Sequence, residues 1–176
     1  AQEHPVAADV VVPIPDSGVL AALGYSHESG IPFEMGFIRN HYVGRTFIMP
    51  TQRSRKSSVD LKLSVVPEVV DGKRVVLVDD SIIRGTTIQK RIEVLRRAGA
   101  KEVHVRISCP PTREPCFFGI DFAEASELVA SGRSEDQICR LCGADSLGYL
   151  SLDGLRSALN NPEHFCMGCF TGHYVC

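Results

Sequence analysis

Short apolar runs alternate with helical patterns along this chain, and that alternation limits its fold more than any other feature. Asp9 to Ile14 (DVVVPI) is a Val-rich strand closed by Pro15-Asp16-Ser17-Gly18. Val19 to Ser29 reads as a helix stopped by Gly30. Arg74 to Val78 is a second buried-type strand, entered through an Asp71-Gly72 turn. Thr87 to Ala98 is amphipathic, with Ile88, Ile92, Leu95 and Ala98 on one stripe and Gly99 as the stop. Glu102 to Ile107 (EVHVRI) is a third strand. This order predicts an α/β fold, a parallel sheet flanked by helices with right-handed crossovers. Ligands of such sheets bind at the carboxyl ends of the strands. That puts Asp16 to Gly18 and Asp79 to Thr87 on one rim.

The other elements are shorter. Phe33 to Ile38 reads as a strand, Ala123 to Ala130 as a helix and Leu147 to Leu150 as a strand. Ser134 is placed to cap a helix ending at Gly143, and Ser151 a last helix through Leu159. Cys109 to Cys116 reads as a loop. Residues 39 to 63 are basic, polar and aperiodic, a pattern that suits a lid or a simple connection. Asn160 to Cys176 is an aperiodic tail with three cysteines.

With 176 residues the chain suffices for one sizeable domain, burying roughly 70% of its unfolded surface. A net charge of -2 argues neither for nor against a nucleic-acid partner. No window approaches the roughly 18 apolar residues of a membrane span, so no membrane partner is expected. There is no secretory signal, and a cytoplasmic setting is expected. The chain starts at Ala1 and reaches a strand within ten residues, as expected of a piece of a longer protein.

The stretch VVLVDDSIIRGTT, Val75 to Thr87, carries the chemistry. Neighbours on a strand point to opposite faces, so Asp79 and Asp80 do not duplicate each other. One can face a ligand while the other orients a neighbour or a cation. Gly85-Thr86-Thr87 opens the helix, whose first amides are unsatisfied donors with partial positive charge. With the hydroxyls of Ser81, Thr86 and Thr87 they suit a phosphate monoester, and Arg84 adds charge. An N-capped helix after a polar strand end remains the plainer alternative. The chain has neither a GxxxxGK[ST] loop nor a GxGxxG fingerprint. Acids followed by an anion turn suggest a ligand with hydroxyls and phosphate.

VVLVDDSIIRGTT resembles the phosphoribosyl pyrophosphate (PRPP) motif of type I phosphoribosyltransferases. VPIPDSG, YVGRTFIMP, PCFFGID, ELVASG, GADSLGYLS and CMGCFTG, in that order, further resemble the amidophosphoribosyltransferase family. The resemblance implies a type I phosphoribosyltransferase domain over residues 1–159, incomplete at its N-terminus, with a cysteine-containing tail over 160–176. It implies transfer of ammonia to PRPP with loss of pyrophosphate, the first committed step of purine synthesis, with the ammonia drawn from glutamine by an N-terminal glutaminase that this chain lacks. A PRPP-binding regulator of the same fold without turnover is the alternative. Carried over by residue, magnesium falls on Ser17, Asp79 and Asp80. The 5-phosphate falls on Ser81 to Thr87, including Gly85, and pyrophosphate lies near Asp16, Ser17 and Gly18. Residues 39 to 63 match a closing loop, in which Arg39, Arg45, Arg53, Arg55 and Lys62 are candidates for pyrophosphate or a nucleotide inhibitor; a solvated charge is as compatible with each. The family is usually a homotetramer inhibited by purine nucleotides.

Seven cysteines allow two groupings. Spacing alone pairs Cys139-Arg-Leu-Cys142 with Cys166-Met-Gly-Cys169 as a four-cysteine zinc site, though Cys139 and Cys142 also suit simple packing. A zinc-ribbon nucleic-acid module would want a basic tail, and Asn160 to Cys176 has no Lys or Arg. The resemblance instead implies a [4Fe-4S] cluster on Cys116, Cys166 and Cys169. Its fourth family ligand lies outside this chain, unless Cys139, Cys142 or Cys176 substitutes. Cys109 and Cys176 are expected to be free thiols. His104 is expected on the solvent side of its strand, and His27, His41, His164 and His173 on the surface.

Overall fold

The computed structural model describes residues 1–40, 63–120 and 124–174. Its centre is a four-stranded parallel sheet in the order β1-β4-β5-β6. These strands are β1 (Val10–Pro13), β4 (Arg74–Asp79), β5 (Glu102–Ile107) and β6 (Ser146–Tyr149). A separate antiparallel pair joins β2 (Phe37–Arg39) to β3 (Leu63–Val65). The helices are α1 (Val19–Ser29), α2 (Pro67–Val70), α3 (Thr86–Arg97), α4 (Glu135–Cys142), α5 (Leu152–Ser157) and α6 (Gly168–Thr171).

The two-residue period of the strands divides the core between the faces. Val75, Leu77, Val103, Val105 and Ile107 pack with Ile88, Ile92 and Leu95 of α3 and Ile138 of α4. Val11, Val76 and Val78 pack against Ala22 and Tyr25 of α1. Both faces are covered, which is why these strands read as nearly continuous apolar runs.

Two cap predictions hold. Ser134 Oγ accepts from the Gln137 amide while the Gln137 side chain accepts from the Ser134 amide, a reciprocal capping box on α4. Ser151 Oγ accepts from the Gly154 amide at 2.8 Å, although α5 ends at Ser157 and not at Leu159.

Three expectations fail. The helix expected over Ala123 to Ala130 is a single 3-10 turn, Ala125–Glu127, among the described residues. Leu128, Val129 and Ala130 are consecutively buried, and the Val129 amide donates to Ile83 O at 2.7 Å. That partner outcompetes a helical one. The strand expected over Phe33 to Ile38 begins only at Phe37; Phe33 makes an isolated bridge to Val11. His104 is 7% exposed, with its ring nitrogens within hydrogen-bond distance of Ser146 Oγ (3.0 Å) and Glu102 Oε2 (2.9 Å). It is buried because that face of the sheet is covered by the N-terminal segment, whose His4 O accepts from Arg106 Nε at 3.0 Å. The tail is also less irregular than expected, with a 3-10 turn at Pro162–His164 and then α6. His27, His164 and His173 are exposed; His41 lies outside the described residues.

Candidate functional site

β1 and β4 run parallel with Pro13 opposite Val78, so their carboxyl ends emerge side by side. Asp79 continues the buried row of Val75 and Leu77 and is 8% exposed, whereas Asp80 is exposed. The two carboxylates therefore have different environments, as alternation requires. Asp79 Oδ1 accepts from the Asp80 amide at 2.9 Å and from Ser17 Oγ at 3.3 Å. Ser81 Oγ donates to Asp80 Oδ1 at 3.3 Å. Burial pushes the Asp79 carboxyl up to about 7; the Asp80 charge adds to the rise, while the Asp80 amide and the Ser17 hydroxyl oppose it.

Gly18 lets α1 begin against this rim. A Cβ there would run into Val78 O and stand 3.0 Å from Ile14 O. The peptide between Pro15 and Asp16 is cis. Asp16 is ion-paired with Arg39 at the end of β2, both side chains well exposed. Arg45, Arg53, Arg55 and Lys62 lie outside the described residues.

Beyond the acids, the chain turns through Gly85, the N-cap of α3, at φ +79°. No side chain caps this helix, so its first amides keep the donor capacity and partial charge of an open N-terminus. A cavity of about 290 Å³ lies there, lined by Asp79, Ser81, Ile82, Ile83, Arg84, Gly85, Thr86, Thr87 and Ile88. The predicted anion turn and Asp79 of the predicted acidic pair thus share one cavity, with Asp80 next to it in the chain. Arg84 Nη2 also donates to Glu127 Oε1 at 2.8 Å. A larger cavity of about 520 Å³ borders the N-terminal segment, α1 and α5. Its charged side chains already have partners: Glu3 accepts from Ser151, Glu28 accepts from Gln2, and Arg106 donates to His4 O and Ser146. The smaller cavity is the one where the Asp79 carboxylate, hydroxyls and open amides converge.

The described cysteines separate into groups. Cys142 is buried in the core beneath α4, and Cys139 Sγ donates to Ala144 O at 3.3 Å. Neither joins the tail, so the zinc grouping by spacing is not formed. Cys169 O accepts the Arg113 and Glu114 amides at 2.9 and 3.1 Å, which brings α6 against the segment holding Cys116. Burial raises the Cys169 thiol, and Cys116 and Cys166 add to the rise, so these three share a neighbourhood. Tyr174 lies over it, in ring contact with Phe117 and Phe118 and hydrogen-bonded to Pro115 O. Still, among the described residues no three His, Cys, Asp or Glu side chains converge closely enough to hold a metal ion. Cys176 lies outside them. Cys109 is a free thiol, as expected, and burial, with smaller additions from Asp80, Cys169 and Asp79, pushes it up to about 12. Nothing in the local sequence singles out Cys109 or Glu127.

A phosphoribosyl transferase domain family model matches residues 2–115. The chain belongs to the phosphoribosyltransferase family. The chain is 58% identical over 174 residues to the amidophosphoribosyltransferase of Methanocaldococcus jannaschii, covering 99% of the chain and 37% of that relative. It is 51% identical over 179 residues to the Bacillus subtilis enzyme of the same name, covering 99% and 38%. A solved structure of glutamine PRPP amidotransferase from B. subtilis, complexed with ADP and GMP, matches with a TM-score of 0.87 at 51% identity, over 98% of this chain and 39% of that one. The chain thus spans little more than a third of the length of these relatives. Among the described residues, no helix is long and apolar enough to cross a membrane.

Proposed function

We propose that this chain is the phosphoribosyl-transferring part of an amidophosphoribosyltransferase: it binds PRPP, and ammonia displaces pyrophosphate from the ribose to give 5-phosphoribosylamine. The observation that carries this reading is the shared cavity, in which Asp79 and the uncapped start of α3 face one ligand-sized space, with Asp80 exposed beside Asp79. The 5-phosphate binds the amides of Gly85 to Thr87 with the hydroxyls of Ser81, Thr86 and Thr87. Asp79 and Asp80 receive the ribose hydroxyls. Asp16, Ser17 and Gly18 line the pyrophosphate side, and Arg39 leaves Asp16 to meet it; Arg45 belongs to the same set.

Ser17, Asp79 and Asp80 offer only hard oxygen donors, a set that fits Mg²⁺, which takes one or two carboxylates and completes its shell with water and substrate phosphates. A buried carboxylate held up near 7 beside a second carboxylate is the kind of group a cation would relieve. When bound, Mg²⁺ would neutralise charge on the departing pyrophosphate. The protein's own groups hold both ends of the ribose while positive charge grows at C1. Ammonia is nucleophilic already, so no added base is needed.

The glutaminase that releases ammonia from glutamine, purine nucleotide inhibition, a homotetramer and a cytoplasmic location complete the proposal for the whole protein. Two plant relatives, from Glycine max and Arabidopsis thaliana, are named chloroplastic. Cys116, Cys166 and Cys169 are proposed as ligands of a [4Fe-4S] cluster with a fourth thiolate from outside this chain. As described they do not form a metal-holding group, so no step of the reaction is drawn through one. The test is pyrophosphate release from Mg²⁺-PRPP and ammonia by the full-length protein. Turnover lost in the Asp79→Asn/Asp80→Asn double variant supports the proposal, and unchanged turnover overturns it. PRPP binding without pyrophosphate release would favour the regulator.

A further inference from the structure

The phosphate turn rests on a segment that no part of the proposed chemistry uses. Residues 127–129 touch it three ways. Glu127 Oε1 accepts from Arg84 Nη2 at 2.8 Å. The Val129 amide donates to Ile83 O at 2.7 Å. A Cβ at Gly85 would stand 3.3 Å from Val129 Cγ2 and 3.5 Å from Leu141 Cδ2, so Val129 backs the turn where it enters α3. Leu128, Val129 and Ala130 are buried, which anchors the segment. Arg113 Nη1 holds its far end through Ala130 O at 3.1 Å. Glu127 is thus a carboxylate on a fixed mount, aimed at the one cationic side chain among the described residues that line the phosphate cavity.

We propose that Glu127 is a positioning residue for the 5-phosphate: it fixes the Arg84 guanidinium at the rim of the cavity so that PRPP meets a preset charge. This rests on the PRPP reading of the site. A guanidinium carries five donors in a rigid plane, so a carboxylate can hold one edge while the plane keeps a set orientation toward an anion. Both side chains are partly exposed, at 51% and 38%. An exposed pair of this kind contributes little to stability. Its consequence therefore falls on ligand binding and not on folding.

The experiment measures PRPP KM, kcat and melting temperature in the full-length protein for Glu127→Gln, Arg84→Met and the double variant. Glu127→Gln is expected to raise KM about tenfold, the scale of one charge-assisted hydrogen bond, with kcat within about twofold. The melting temperature should fall by less than about 4 °C. In the Arg84→Met background, Glu127→Gln should raise KM no further. Two results overturn the proposal: an unchanged KM in the single variant, or the same rise in both backgrounds, which would mean a merely structural part. If the unsubstituted protein does not bind PRPP at all, it is the PRPP reading that fails, and this is seen before any variant is made.

Discussion

Ser17 donates its hydroxyl hydrogen to Asp79 Oδ1 at 3.3 Å, joining the turn after β1 to the last residue of β4. This bond lowers the Asp79 carboxyl against the larger effect of burial. Ser17→Ala removes it, so Asp79 should ionise at still higher pH. The expected outcome is a pH profile of Mg²⁺-PRPP binding displaced upward, with affinity at pH 7 weakened by about 3- to 10-fold, read by isothermal titration across pH. A profile that does not move would show that the hydroxyl leaves Asp79 unaffected.

Asp79 also sets a stability trend for the ligand-free protein. Its folded value of about 7 stands above an unfolded value near 3.8. Between those limits the folded state holds a proton that the unfolded state has lost, so stability falls as pH rises through the window and levels off above it. Asp79→Asn should remove this slope. At pH 8 the variant should be more stable, by on the order of 2 kcal/mol, with the advantage shrinking towards pH 4. Chemical denaturation at several pH values checks this; a variant less stable at pH 8 contradicts it.

The glycines of the rim predict different kinds of damage. Gly18→Ala places a methyl group against Val78 O, a backbone atom that cannot step aside. A loss of roughly 3 kcal/mol or more is expected, with PRPP binding abolished. Gly85→Ala combines a left-handed φ of +79° with a tight contact on Val129. About 1–2 kcal/mol should be lost, and the phosphate should bind more weakly as the turn shifts. Thermal melts and PRPP titrations of both variants distinguish the cases.

Ser134→Ala provides a contrast away from the site. It removes the Ser134 Oγ bond to the Gln137 amide, leaves the Ser134 amide bonded to the Gln137 side chain, and should cost about 0.5–2 kcal/mol, with PRPP affinity unchanged. Affinity falling with stability would mean that α4 communicates with the cavity.

The central sheet was legible because its strands are covered on both faces and so carry unbroken apolar runs. The acidic pair and anion turn were legible because both follow one such strand within a few residues. Less visible were features set by distant partners. Leu128 to Ala130 carry an apolar pattern that suits a helix, but the Val129 amide bonds to Ile83 O and the chain turns there instead. His104 alternates like a solvent-facing residue, yet Ser146 and Glu102 take its ring on a covered face. Spacing grouped Cys139 and Cys142 with the tail, whereas packing keeps Cys142 in the core. Glu127 stands in the sequence only as the first residue of ELVASG; its meaning depends on Arg84, far away in sequence.

The pairing of Val10 with Val75 also bears on the order of assembly. It closes the longest loop of the parallel sheet, while β4 to β5 and β5 to β6 close shorter ones. Long closures are entropically dearer and are made later. β1 is thus the strand expected to dock last, and it delivers Ser17 and Gly18 to a rim whose acids and anion turn already stand in place. A ligand gripping both sides would bind only the fully docked form and draw that last step forward by mass action. Such a ligand would double as a latch on the folding of this chain.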